Sequence, residues 1–206
     1  MALDFTALQT EFFARGFSYL NDAGAGLTRA KRWLNASMHD IDDMERWPYR
    51  EATATGAAPL SVTDLGLIET VVDTTNNRQL EYRSRESLVE DYPDLTLAGT
   101  PAFYYVTGGN TVSVYPTRTS GSLLVRYFKT GPDLSSGSDA PLMPDRFRDA
   151  IIEYAVAKAL RDQSNFQEAA LASQAGDAIV QRMRAVFALQ HGGHEAQIIT
   201  GASGDW

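Results

Sequence analysis

Three histidines are the only imidazoles in this 206-residue chain, and two of them, His191 and His194, flank a Gly192-Gly193 pair. A structural zinc needs four fixed donors and a catalytic zinc three. Two ligands on a glycine-rich stretch therefore read as accidental spacing. The third, His39, heads an acidic run of Asp40, Asp42, Asp43 and Glu45. Such carboxylates could hold a hard cation or share acid–base work. Near a helix end the same run reads as a solvated face, with Arg46 and Arg50 close enough to offset it. Cysteine is absent, which excludes disulfides, thiolate metal sites and the commonest covalent nucleophile.

Gly24-Ala25-Gly26 lacks the third glycine of a dinucleotide fingerprint and follows a helical pattern where a strand is required. Neither a phosphate-binding loop nor a Gly-x-Ser-x-Gly elbow occurs. Aromatic residues around Phe103 could stack bases, but no Lys or Arg is interleaved with them, so they read as sheet core. The residues point to no catalytic group, no metal and no cofactor.

Composition narrows the class further. Hydrophobic residues make up 44% of the chain and charged ones 21%, which a folding globular domain requires and a disordered chain lacks. A net charge of -8 argues against nucleic-acid binding, because affinity for DNA comes from cations neutralising phosphates. The first residues, Met1 to Phe5, carry neither the basic nor the apolar region of a secretory signal. No run of about eighteen apolar residues occurs, so no membrane span is expected.

The elements that would position these residues fall into three segments. Up to about Arg50 the periodicity is helical. A first helix is predicted over Leu3–Leu20, with Phe5, Leu8, Phe12 and Tyr19 near one face. Asn21 to Gly26 break it, and a second helix from Leu27 carries Leu27, Ala30, Leu34, Met38 and Ile41 as one stripe. It stops near Trp47-Pro48, since proline disfavours helical geometry in the residue before it. From about Pro59 to Thr130 the pattern changes to strands: Ile68–Val72 is β-branched, Asn76-Asn77 is a turn, and Gln79–Tyr82 alternates. Ser84 caps a short helix to Asp91. The clearest hairpin runs Phe103–Val106, Gly108-Gly109-Asn110, Thr111–Tyr115, and Ser122–Phe128 supplies a further strand.

A proline- and serine-containing loop, Gly131 to Pro144, leads to the third segment. There Ile152, Ala155, Val156, Ala159 and Leu160 form one stripe and Phe147, Ile151 and Tyr154 an adjoining one, too broad for a helix packed on one side. Beyond Ser164-Asn165, Ile179, Met183, Val186 and Phe187 mark a second helix. The alanines and Gly176 between Ala169 and Ala178 allow close approach, so the two helices pair antiparallel. Residues 191–206 hold four glycines and no period, and read as a flexible arm with Ile198, Ile199 and Trp206 as apolar anchors.

Taken in order, three stretches resemble the head-to-tail adaptor proteins of tailed bacteriophages, a family that includes the podovirus tail accessory factors. Trp33-Leu34-Asn35, Ile41 and Trp47-Pro48-Tyr49 resemble the signature that ends that family's first helical pair. Pro101-Ala102-Phe103-Tyr104 and Val112-Ser113-Val114-Tyr115-Pro116 are similar to its hairpin closing on Tyr-Pro. Pro141-Leu142-Met143-Pro144, Phe147, the alanine-rich helix and Ala169-Ala170 complete the match, over roughly residues 27 to 187. The structural positions carried by the motifs are Trp33, Asn35, Ile41, Trp47, Pro48, Tyr115 and Pro116. The glycine-rich stretch before Leu27 and the glycine tail depart from the pattern.

The expected fold is α+β and mainly helical: a helical bundle with a small antiparallel β insertion between N-terminal and C-terminal helix pairs, and an extended C-terminal arm. Residues 1–190 would form a single adaptor domain, and 191–206 the arm. The resemblance implies a non-enzymatic virion protein of the phage neck, made in the host bacterial cytoplasm. It would form a ring of about twelve copies under the portal protein, contact a tail or nozzle protein, and pass DNA through its lumen without specific binding. An acidic wall suits that conduit, because each neutralised phosphate adds counterion-release affinity. Residues 51–144 carry eleven acids against six bases and residues 145–190 six against six, so the C-terminal helices are expected between subunits and the β-rich segment at tail or lumen. Ile198, Ile199 and Trp206 would dock the arm on the portal. The alternatives are a tail-completion or minor tail protein, or a cell-wall hydrolase with a Glu/Asp acid–base pair.

Overall fold

A computed structural model describes residues 4–21, 24–118 and 120–191. The chain forms two compact units, one from residues 1–48 together with 133–206 and the other from residues 49–132.

In the first unit, Asp4 accepts the Ala7 N–H at 2.7 Å and caps α1, Phe5–Phe12, whose Phe5, Leu8 and Phe12 are fully buried. The helix does not continue to Leu20. Gly16 lies at φ 102°, a left-handed conformation that ends regular helix, and irregular turns Phe13–Phe17 and Ser18–Leu20 follow. Tyr19 is consequently exposed and leaves the stripe expected of it. Helix α2, Ala25–Met44, buries Ala30, Trp33, Leu34, Met38 and Ile41.

Helix α4, Arg148–Asp162, is buried on several faces, with Ala150, Ile151, Ile152, Ala155 and Ala159 inaccessible to solvent. It packs against α1, α2 and the long α5, Phe166–His191. This is why its apolar face is so broad. Trp33 Nε1 donates to Asp162 at 3.2 Å and Lys158 Nζ to Asp40 at 2.6 Å, so α2 and α4 run antiparallel. The Phe147 and Phe187 rings lie 5.9 Å apart and the Tyr154 hydroxyl donates to Asp177, so α4 and α5 are antiparallel too. It follows that α2 and α5 run in the same direction. The buried stripe of α5 is Ala169, Ala172, Gly176, Val180 and Met183, shifted from the one predicted: Met183 belongs to it, whereas Ile179, Val186 and Phe187 are half-buried.

The second unit is larger and more varied than a small antiparallel insertion. One sheet has the order β1–β8–β3–β4, with β1 Glu51–Gly56, β3 Leu65–Asp73, β4 Arg78–Gln79 and β8 Leu123–Lys129. The other has the order β2–β7–β6–β5, with β2 Leu60–Ser61, β5 Glu81–Tyr82, β6 Phe103–Thr107 and β7 Thr111–Tyr115. The expected β6–β7 hairpin is present, pairing from Phe103 with Tyr115 to Thr107 with Thr111, but β5 joins β6 in parallel. Ser84 caps α3, Arg85–Asp91, by accepting the Ser87 N–H. Val71, Leu123, Val125 and Tyr127 from one sheet and Tyr104, Val112 and Val114 from the other share a single apolar core.

The helical-bundle expectation is thereby corrected. About 48% of the described residues are helix and 22% strand, the strands in two four-stranded sheets that hold their own core, so the fold is α+β without being a bundle. The arm beyond His191 lies outside the described residues.

Close contact between α4 and α5 rests on Gly176, where a Cβ would come 3.1 to 3.2 Å from the Tyr154 ring. Gly176→Leu is expected to force these helices apart and cost about 1–3 kcal/mol, read as a lower urea midpoint; an unchanged midpoint would contradict the packing.

Candidate interaction surfaces

The motif residues sit inside the fold, each with a structural task. Asn35 is the clearest. Its Nδ2 donates to the Leu134 carbonyl at 3.0 Å while its Oδ1 accepts the Leu134 N–H at 2.9 Å, so one side chain satisfies both backbone groups of a residue in the returning strand of chain. His39 adds a 2.7 Å contact to Asp133 beside it. Thr6 N–H donates to the Gly137 carbonyl and Phe5 N–H to that of Asp139, so the 133–139 loop lies along α1 and α2. Trp33 bonds α4 as described, and Trp47, almost wholly buried, donates from Nε1 to the carbonyl of fully buried Ile41 at 2.6 Å. Pro48 starts a single helical turn, Pro48–Arg50. Tyr115 is buried with its ring 4.8 Å from that of Tyr92, and the peptide bond to Pro116 is cis.

The acidic run serves helix packing. Asp40 pairs with Lys158, Glu45 pairs with Arg184 at 2.7 Å, and Asp42 is buried. Partners for Asp40 and Glu45 thus come from α4 and α5, where Arg46 and Arg50 had been expected; the Arg50 Nε instead donates to the Lys129 carbonyl. Among the described residues no group of three or more His, Asp or Glu is placed to hold a metal ion, and no helix is long and apolar enough to cross a membrane. The side chain of His191, and His194, Ile198, Ile199 and Trp206, lie outside the described residues.

A buried polar centre in the second unit had no signal in the sequence. Asp73, fully buried at the end of β3, accepts from Arg118, from Asn76 Nδ2 at 2.7 Å and from the Thr75 N–H at 3.0 Å. Burial alone would raise this carboxyl, but the hydrogen bonds from Asn76, Arg118 and Thr75 outweigh it and hold Asp73 below the ordinary 3.8. A cleft of about 280 Å³ beside Arg118 is lined by Asn76, Gly99, Thr100 and Thr117. Because the guanidinium is engaged with Asp73, the cleft is no ready anion site. Across the same unit, burial and a 2.7 Å bond to Asp64 push the Tyr127 hydroxyl up to about 12.

One helix face is open along most of its length. Seven positions of α5 at alternating three- and four-residue steps, Glu168, Leu171, Ala175, Ala178, Arg182, Ala185 and Leu189, are all exposed. Leu171 is 61% and Leu189 81% accessible, beside the fully engaged opposite stripe. Five of the seven are alanine or leucine, so this face offers a surface of small and apolar side chains on which another helix can pack.

A model of the SU10 adaptor protein family matches residues 7–197 of the chain. No curated protein matches it.

Two substitutions test the interior. Asn35→Ala leaves both backbone groups of Leu134 without their partners, and should cost about 1–3 kcal/mol and speed proteolysis within residues 131–144; unchanged cleavage would argue that the clamp is idle. Asp73, with its folded value below its unfolded one, contributes stability that is present above 3.8 and is lost as pH falls through the lower folded value. Asp73→Asn should therefore lower stability at neutral pH by on the order of 2 kcal/mol and flatten the acid limb below pH 3.8; urea melts at pH 7 and pH 3 that shift equally would refute this.

Proposed function

Because the chain belongs to the SU10 adaptor protein family, a family of structural phage head-to-tail adaptors, we propose that its copies close into a ring of about twelve beneath the portal. In this reading the ring joins capsid to tail, lies in the neck of the virion and passes DNA through its lumen. The observation that carries it is the exposed face of α5, opposite the stripe that packs on α4. Closed rings are built by heterologous contacts, in which each subunit presents two different patches to its left and right neighbours.

Charge supports the conduit for the chain as a whole, whose net is -8. A wall of that sign lets DNA slide, whereas one rich in Lys and Arg would hold its phosphates. The division of charge along the sequence does not follow the compact units, however. Residues 49–132 hold nine acids against seven bases, and the helical unit seventeen against eleven, so charge favours the helical unit over the β-rich one as the wall. Ile198, Ile199 and Trp206 are proposed as the anchors of a portal-docking arm.

Mixing the purified chain with the portal ring of the same phage and imaging by negative stain tests this. The expected result is an added ring of density at one end of the portal. Portal particles that stay bare while the chain binds tail components would favour a tail-completion role instead.

A further inference from the structure

The ring reading leaves open which faces meet, and two outer helix surfaces carry an answer that rests on that reading. Helices α2 and α5 both pack on α4 and run the same way. On α5, Glu168, Ala175 and Arg182 are exposed at intervals of seven residues. On α2, Arg29, Ala36 and Asp43 have the same interval, the two charged residues exposed and the alanine half-buried. The order of charge is reversed between them: acid, alanine, base on one helix and base, alanine, acid on the other. Arg29, Asp43 and Arg182 make no salt bridge among the described residues.

We propose that the α5 seam of one copy packs in parallel on the α2 seam of a second copy. Glu168 then opposes Arg29, Ala175 meets Ala36 where the backbones come closest, and Arg182 opposes Asp43. An antiparallel arrangement of α5 on α2 sets Glu168 on Asp43 and Arg182 on Arg29, and a parallel pair of α5 helices sets like on like, each costly at a helix interface. Antiparallel pairs of two α5 or two α2 helices do match charge, but they are isologous and join two copies without propagating around a ring. The direction also agrees with cyclic closure. A rotation of about 30° per copy in a twelve-fold ring turns any helix by no more than that angle, so helices parallel within one subunit stay near parallel in the next, inside the usual range of packing angles. Since the two patches differ, the contact is heterologous and can propagate around the ring.

The test compares the wild type with Arg182→Glu, Asp43→Arg and the two combined, both exposed positions with no hydrogen bond or ion pair among the described residues, where thermal melts should stay unchanged. Each single swap is expected to raise the concentration needed for half-assembly on the portal roughly tenfold, and the double swap to bring it back to within about threefold of wild type. The chain has no native cysteine, so Ala36→Cys combined with Ala175→Cys should give an oxidised ladder of multimers, while Ala175→Cys alone should not dimerise. Single swaps that assemble like wild type, or a dimer from Ala175→Cys alone, would overturn the proposal. A ladder from the paired cysteines without any wild-type density on the portal would support these faces as a self-interface and remove the ring reading. Wild-type density with no ladder would do the reverse.

Discussion

The helical unit takes its form from the need to bury α4 on several faces at once. Ile151 and Ile152 adjoin in sequence and point to different sides of the helix, yet both are fully excluded from water, each worth about 1.5–3 kcal/mol of transfer energy. No single partner could cover both. The alanines of α4 and Gly176 of α5 let neighbours come close, and the turn at Gln163–Asn165 forces α5 back along α4. Once α2 and α5 are both antiparallel to α4, their shared direction follows, and with it the possibility of a seam on each outer side.

Holding that arrangement requires the chain to return correctly after an excursion of more than eighty residues through the β-rich unit. Asn35 deals with this by presenting an amide to Leu134 as another strand would, with His39 and Asp133 beside it. Ion pairs from α2 to α4 and α5 add orientation, although the exposed ones contribute little stability. Asn35 and Trp33 thus report how the two ends of the chain are joined, and the chemistry of the motif positions is that of packing and hydrogen bonding.

Local features were the legible ones in the sequence. The β6–β7 hairpin follows from two aromatic and β-branched runs on either side of glycines at the turn, and α3 from Ser84 ahead of a helical run. Elements that depend on distant partners were not. Strand β1 reads as a bland Ala–Thr repeat and becomes a strand because β8, some seventy residues later, pairs with it from Glu51–Phe128 to Gly56–Leu123. The parallel β5–β6 pair and the Asp73–Arg118 centre are likewise joined only in three dimensions. On α5 the buried stripe was misplaced because alanine fills both the packed face and the open one, and hydrophobicity alone cannot tell them apart. The acidic run read as a solvated face offset by Arg46 and Arg50, but Asp42 is buried and the partners of Asp40 and Glu45, Lys158 and Arg184, come from distant helices.

Membership of a structural adaptor family, with an open helix seam, is the basis of the proposal that the protein works by fitting between copies and neighbours. A cryo-EM reconstruction of the neck of the intact particle bears on that claim most directly. The account expects this chain as a closed ring between portal and tail, with one subunit's α5 lying along the next subunit's α2. A neck in which the chain is missing, or present with the α5 seam facing solvent, would contradict it.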